Sequence, residues 1–180
     1  NFDDCQNLVK AMFQDDKFNR SINMSAVNSI NWARVMAQIV YYWWTAMEVA
    51  GTRQVSFCVP SGNFGNVFAG YGAHLTGLPV HKFIVASNTN DVLDRFFTTG
   101  QMEAQAVTPT LSPSMDIQIS SNFERLLFEI LDRDGAEVES KFEEFYNEGS
   151  LAVDQLTLAQ LKTKWASSRV NDDETLETIA

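Results

Sequence analysis

The sequence predicts an α/β fold, a parallel sheet with flanking helices whose C-terminal part is mostly helical. Three observations carry that reading. Short apolar runs rich in β-branched and aromatic residues, at 55–59 and 82–86, alternate with helical patterns. Such alternation marks parallel strands joined by right-handed crossovers. Hydrophobic residues make up 45% of the chain and charged residues 20%, the composition of a packed globular protein. The longest apolar stretch, 35–50, is broken by Gln38, Thr45 and Glu48, short of the roughly 18–20 uninterrupted residues of a membrane span.

The elements follow in order. Asp3 or Asp4 is suited to cap a first helix, with Leu8, Val9, Met12 and Phe13 at helical spacing behind it. Asp15, Asp16 and Asn19 read as a break, and a polar stretch over 20–29 leads to a long helix over 31–50. Trp32, Val35, Met36, Ile39, Val40, Tyr42, Trp43 and Met47 place apolar surface nearly all round it. Burial on more than one face is expected of such a helix, with Gly51 as its C-terminal stop. Residues 55–59 form a buried strand, with Cys58 as a small buried apolar residue. Val67, Phe68, Tyr71 and Leu75 mark a helix over 65–77, ended by Leu78 and Pro79. A second strand lies at 82–86, and Val92, Leu93, Phe96 and Phe97 mark a helix closed by Gly100. A weaker third strand is expected near 104–107. Further helices are expected at 119–131, 138–146 and 157–166, before an acidic, polar last ten residues. The chain thus divides into a helical lead-in (1–52), a parallel α/β core with a glycine loop (53–131) and an acidic helical extension (132–180).

Charge excludes some partners. Acidic residues number 23 and basic residues 13, a net charge of −10. Residues 132–180 hold 12 acidic and 5 basic side chains, and residues 1–131 hold 11 and 8. A surface this negative repels phosphate backbones, which argues against nucleic-acid binding. Two cysteines cannot build a disulfide framework, and the first residues lack the basic and apolar regions of a signal peptide. A reducing, cytoplasmic location is therefore expected. His74 and His81 stand apart from one another and from any cysteine cluster, so no metal site is expected.

Chemistry concentrates in two segments. Pro60-Ser61-Gly62-Asn63-Phe64-Gly65-Asn66 lies where a strand ends and a helix begins, the edge of a parallel sheet at which ligands bind. Helix N-termini offer unpaired N–H groups and a positive dipole end, and Gly62 and Gly65 let the backbone approach an anion closely. The loop lacks the lysine of a nucleotide P-loop. It is a neutral cradle for a phosphate group or a plain strand–turn–helix connection. In Asn28-Ser29-Ile30-Asn31-Trp32-Ala33-Arg34, Asn28 or Ser29 is placed to cap the long helix. Ser29, Asn31 and Arg34 share its first turn. An arginine fork beside a hydroxyl suits a second anion, and a cap with a surface arginine is the alternative.

The segment from Pro60 to Asn66 resembles the cofactor-phosphate loop of threonine synthase, a fold type II pyridoxal-phosphate enzyme, and Asn28 to Arg34 looks like its substrate-phosphate segment. Ala86-Ser-Asn-Thr-Asn-Asp91, Thr110-Leu-Ser-Pro-Ser-Met-Asp116 and Ser120-Ser-Asn-Phe-Glu-Arg125 resemble the same family in the same order, as does Asn1-Phe-Asp-Asp-Cys-Gln6. The resemblance covers about residues 1–131. It implies conversion of O-phospho-L-homoserine and water to L-threonine and phosphate, the last step of threonine biosynthesis, with pyridoxal phosphate as cofactor. Gly62, Asn63, Phe64, Gly65 and Asn66 would then hold the cofactor phosphate, and Asn28, Ser29, Asn31 and Arg34 the substrate phosphate.

Each lysine of the chain (Lys10, Lys17, Lys82, Lys141, Lys162, Lys164) falls outside the family's Schiff-base motif. That lysine is expected upstream of Asn1, which makes the chain an internal segment of the enzyme, with the rest of the enzyme chain as its partner and no activity alone. The rival readings are another fold type II enzyme, such as a threonine dehydratase or a tryptophan synthase β-like protein, and a non-catalytic phosphate-binding relative. A small stand-alone α/β domain is a third.

Overall fold

The computed structural model describes residues 2–25 and 28–180. Three parallel strands make the central sheet: β1 (Val55–Pro60), β2 (Val80–Ser87) and β5 (Trp165–Arg169), in the order β1-β2-β5. Two short strands, β3 (Gln101–Glu103) and β4 (Ser150–Ala152), pair antiparallel. Helices α1 (Phe2–Gln14) and α2 (Asp16–Ile22) precede α3 (Trp32–Ala50). Helices α4 (Gly65–Leu75) and α5 (Val92–Thr99) follow β1 and β2. After them come α6 (Phe123–Ile130), α7 (Gly135–Glu148), α8 (Gln155–Lys164) and α9 (Asp172–Ile179). The parallel α/β core with flanking helices is thus present, and the C-terminal part is mostly helical.

The core is aromatic. Phe64, Phe83, Phe96 and Phe123 are fully buried and Phe97 and Trp165 nearly so. Trp165 lies 5.0 Å from Phe83, 5.4 Å from Phe64 and 5.5 Å from Phe97 between ring centroids. Aromatic pairs at these separations add about 0.5–1.5 kcal/mol each beyond the area they bury. Helix α3 rests on α4 through Gly70, whose missing Cβ lets Tyr42 and Phe83 close on the α4 backbone.

Several expectations are corrected. The third strand of the sheet is not at 104–107; β3 ends at Glu103 and belongs to the antiparallel pair. The parallel sheet instead recruits Trp165–Arg169, read from sequence as the end of a helix over 157–166. Trp165 sits in register with Phe83, and burying its indole among the core rings outweighs helical continuation. The ammonium groups of Lys162 and Lys164 fasten this turn by donating to Thr98 O and Val80 O at 2.8 Å.

Helix α3 is covered on one face only. Val35, Tyr42 and Ala46 are buried, whereas Met36, Val40, Trp44 and Met47 remain 49–67% exposed. The covered face is the one that meets α4. Trp43 and Trp44 accordingly part ways, Trp43 Nε1 donating to Thr76 Oγ1 at 3.1 Å while Trp44 faces solvent. Cys58 is exposed rather than buried, because β1 is an edge strand and Cys58 alternates onto its open face. The helix expected over 119–131 begins only at Phe123, after a turn at Ser120–Asn122. The acidic last ten residues form α9, started by a reciprocal cap between Asn171 and Glu174. Helix α1 starts at Phe2, so Asp4 lies inside its first turn rather than at its cap.

Candidate functional site

Strand β1 ends at Pro60, and the Ser61 N–H donates to Ala86 O at 3.1 Å, so the loop leaves the sheet at the carboxyl ends of β1 and β2. That is the edge at which open α/β sheets bind ligands. Phe64 is the pivot. Its φ of 62° is left-handed, a conformation that costs a bulky residue about 1–3 kcal/mol. Its ring is buried between Phe97, Phe123 and Trp165 at 5.4–6.2 Å, and this packing offsets the strain. The ring therefore faces the core, and of the loop residues Gly62 and Asn63 are half-buried and Asn66 exposed. Among the described residues the N–H groups of Gly62, Asn63, Phe64, Gly65 and Asn66 meet no acceptor.

The back of the loop is filled by protein. Ser120 Oγ donates to Gly62 O at 2.7 Å, and Ser121 Oγ to Asn63 Oδ1 at 3.1 Å. Asn122, with no exposed surface, donates to Asn63 O through its backbone N–H at 3.1 Å and its Nδ2 at 3.0 Å. A Cβ on Gly62 would lie 2.8 Å from Ile117 Cδ1, and one on Gly65 would lie 3.2 Å from Asn122 Nδ2 and 3.4 Å from Ser29 O. Both glycines are thus needed where segments 115–122 and 28–29 close on the loop. The Tyr42 hydroxyl donates to Asn66 Oδ1 at 2.6 Å. Burial pushes the Tyr42 phenol well above its ordinary range, so it remains a donor.

The second segment differs from expectation in its capping. Neither Asn28 nor Ser29 caps α3; Asn31 does, its Oδ1 accepting from the Ala33 N–H at 2.9 Å. Asn28 forms the preceding turn, Oδ1 accepting from the Ile30 N–H at 3.1 Å and its carbonyl from the Asn31 N–H at 3.2 Å. The side-chain oxygens of Asn28 and Asn31 are therefore engaged in shaping the backbone. Ser29 Oγ is the reverse case, a buried hydroxyl with no hydrogen-bond partner among the described residues. Buried polar groups are nearly always paired, so such an orphan, which Ser87 Oγ also is, is a candidate to meet a ligand. The structure brings Ser29 against Gly65. It places Arg34 in the first turn of α3 with an exposed side chain, and no contact joins that guanidinium to the loop among the described residues.

Two sets of residues went unassigned in the sequence. One is the brace just described: Tyr42, Ile117, Ser120, Ser121 and Asn122. The other is a buried clasp at the end of β2, centred on Asp116. Asp116 Oδ1 accepts from Asn88 Nδ2 (2.8 Å), Asn90 Nδ2 (3.0 Å) and Thr110 Oγ1 (2.6 Å), and Oδ2 accepts from the Thr110 N–H (2.9 Å). It ties the 108–118 segment to the sheet edge and so delivers Ile117 to Gly62. Tyr42 and Ile117 lie outside the quoted motifs; the sequence signal of the others was membership of ordered motifs whose roles local patterns do not disclose. Among the described residues no cluster of three His, Cys, Asp or Glu could hold a metal, and no helix is long and apolar enough to cross a membrane.

No family model matches the chain. It is 49% identical to threonine synthase of Pseudomonas aeruginosa over 181 residues, covering 100% of this chain and 39% of that protein. It is 44% identical to threonine synthase of Saccharomyces cerevisiae, covering 99% of this chain and 37% of that one. Among solved structures, a PLP-bound threonine synthase from Brucella melitensis matches with a TM-score of 0.92 at 49% identity, over 99% of this chain and 39% of that chain. Threonine synthase from Escherichia coli matches with a TM-score of 0.76 at 33% identity, covering 99% of this chain and 36% of that chain. The chain spans about two fifths of the length of these relatives. Along its whole length the chain is similar in sequence, and in fold, to a segment of these threonine synthases.

Proposed function

We propose that this chain is the phosphate-binding portion of a threonine synthase, which converts O-phospho-L-homoserine and water to L-threonine and inorganic phosphate with pyridoxal phosphate as cofactor. The observation that carries the proposal is the row of unpaired N–H groups at 62–66, at the start of α4, beside the orphaned hydroxyl of Ser29. Gly62, Asn63, Phe64, Gly65 and Asn66 would hold the cofactor phosphate, chiefly through backbone N–H groups and the positive end of α4. Phe64 acts from the core side, by fixing the loop. The Nδ2 groups of Asn63 and Asn66 remain for the ligand, their Oδ1 atoms being taken by Ser121 and Tyr42.

When bound, pyridoxal phosphate supplies the electron sink needed for phosphate loss at the γ carbon and water addition at the β carbon. The chain's own part is recognition. Ser29 Oγ would donate to the substrate phosphate, and Arg34 would reach it from the first turn of α3 and stabilise the departing dianion. Asn28 and Asn31 would shape that site through the turn and the cap. The proposal includes the fold type II architecture, a cytoplasmic location and the remaining enzyme polypeptide as packing partner. The ammonium groups of Lys82, Lys162 and Lys164 are tied to the carbonyls of Lys162, Thr98 and Val80, so none is offered to a cofactor in the loop.

The test is a titration of the ¹⁵N-labelled chain with inorganic phosphate, then with pyridoxal phosphate. Selective, saturable shifts of the Gly62–Asn66 amide signals are expected with both. Unmoved loop signals would overturn the assignment of the cradle.

A further inference from the structure

Helix α6 opens with Asn122 as its cap residue and carries Arg125 one turn on. Asn122 Oδ1 accepts from Arg125 Nε at 3.1 Å, while the amide nitrogens of the same residue hold Asn63 O. The other end of the guanidinium, Nη2, donates to Ile30 O at 2.7 Å, and its Cζ lies 5.2 Å from the centroid of the Trp32 ring. One side chain therefore spans from the buried amide behind the Gly62–Asn66 loop to the carbonyl between Ser29 and Asn31. Among the described residues the hydrogen bonds of Asn28 and Ile30 are otherwise local, made within 28–31. The position of the Ser29 hydroxyl relative to the Gly65 backbone depends on what reaches across to this turn.

We infer that Arg125, through Asn122, is a positioning residue that sets the separation of the two phosphate sites. This rests on the reading that both segments bind phosphate. The chemistry suits the role. Only a planar guanidinium offers rigid, divergent donors that can serve two fixed acceptors at once. Stacking on Trp32 removes rotamer freedom from the fork and anchors it to the first residue of α3. A lysine would satisfy either Asn122 Oδ1 or Ile30 O with a flexible point charge. Arg125 touches neither proposed ligand position, so its effect on binding has to pass through Asn122 and Ile30.

The experiment compares the parent chain with Arg125→Lys and Arg125→Met. The methionine keeps an apolar stem against Trp32 and removes the fork. Ligand-free ¹⁵N spectra are recorded first, then inorganic phosphate is titrated, with urea unfolding as a control for global stability. In Arg125→Met, the amide signals of Ser29–Asn31 and of Asn63–Gly65 are expected to move together. The phosphate affinity read at Gly62–Asn66 should fall about tenfold, the scale of losing a charged hydrogen bond. Arg125→Lys should fall between the two, and it carries the test should the methionine variant unfold. Shifts confined to Ile30 and α6, with Asn63–Gly65 unmoved in both folded variants, would overturn the positioning role. A parent chain that shows no phosphate-dependent shift would overturn the phosphate reading instead, and the ligand-free spectra would still decide the Arg125 link.

Discussion

Gly70 is the point of closest approach between α3 and α4, and alanine there measures how firmly α3 holds the site. A Cβ would lie 2.5 Å from Tyr42 Cε1, 2.8 Å from Tyr42 Cζ and 2.9 Å from Phe83 Cε1. Both rings pack against Phe57, at centroid separations of 4.8 and 6.3 Å, so neither can turn aside and α3 has to move outward. Propensity alone would favour the substitution by about 0.8–1 kcal/mol. Overpacking opposes it by about 1–3 kcal/mol. Parting the Tyr42 hydroxyl from Asn66 Oδ1 would leave a buried donor unpaired, for about 1–3 kcal/mol more. The balance is a net loss of about 1–5 kcal/mol. Urea unfolding of Gly70→Ala, Tyr42→Phe and the double variant checks it. The hydroxyl is already gone in the double variant, so the two losses must be less than additive. A Gly70→Ala midpoint at or above that of the parent would refute the close approach. Additive losses would refute the coupling through Tyr42.

Three further outcomes are expected. Ser29→Ala removes a buried hydroxyl that is unpaired among the described residues, so it should leave the unfolding free energy unchanged or raised by up to about 1 kcal/mol while weakening phosphate binding; parallel urea unfolding and binding measurements separate the two effects. Burial raises the Tyr42 phenol above its ordinary 10.0, and the folded state thus holds that proton to higher pH than the unfolded state does. Stability from this group is complete below pH 10 and falls as the pH rises beyond it; a pH series of unfolding midpoints should show the decline reduced in Tyr42→Phe, with Tyr71, raised for the same reason, accounting for a remainder. The uncovered face of α3, with Val40 61% and Trp44 67% exposed, should drive self-association of the chain, and Val40→Glu with Trp44→Glu should shift its sedimentation toward the monomer.

What was legible in the sequence was what is local. Strand, glycine turn and helix are adjacent in the chain, so the strand–turn–helix connection at 60–66 could be found from residue types and spacing alone. Its brace lies 58 residues away at Ser120 and Ser121. Polar side chains that meet a loop across the fold leave no periodic trace, and before an apolar helix they look like an ordinary cap. The third strand failed for a related reason. Trp165-Ala-Ser-Ser-Arg169 follows a run of good helix formers and holds one large apolar residue, and only pairing with Phe83–Ser87 makes it a strand. Composition also cannot tell which elements of the same segment cover a helix face, which is why α3 was expected to be buried on more than one face, whereas within the described residues only the face toward α4 is covered.

The strand that the sequence hid bears directly on the site. Phe64 can hold a left-handed backbone only because its ring is clamped, and one jaw of that clamp is Trp165, 5.4 Å away on β5. Trp165 in turn reaches Phe97, which also packs on Phe64. The acidic C-terminal segment, 132–180, therefore stands behind the loop as well as beyond it. Its charge lies on solvated helices, while its one buried indole sits at the back of the cradle. The anion site proposed at 62–66 has no lysine or arginine in its loop and would draw its attraction from oriented N–H groups, and oriented dipoles bind well only when they cannot relax. Rigidity is then the property most needed at 62–66, and three distant segments provide it: α3 through Tyr42, the 115–125 segment through Ile117, Ser120 and Asn122, and β5 through Trp165.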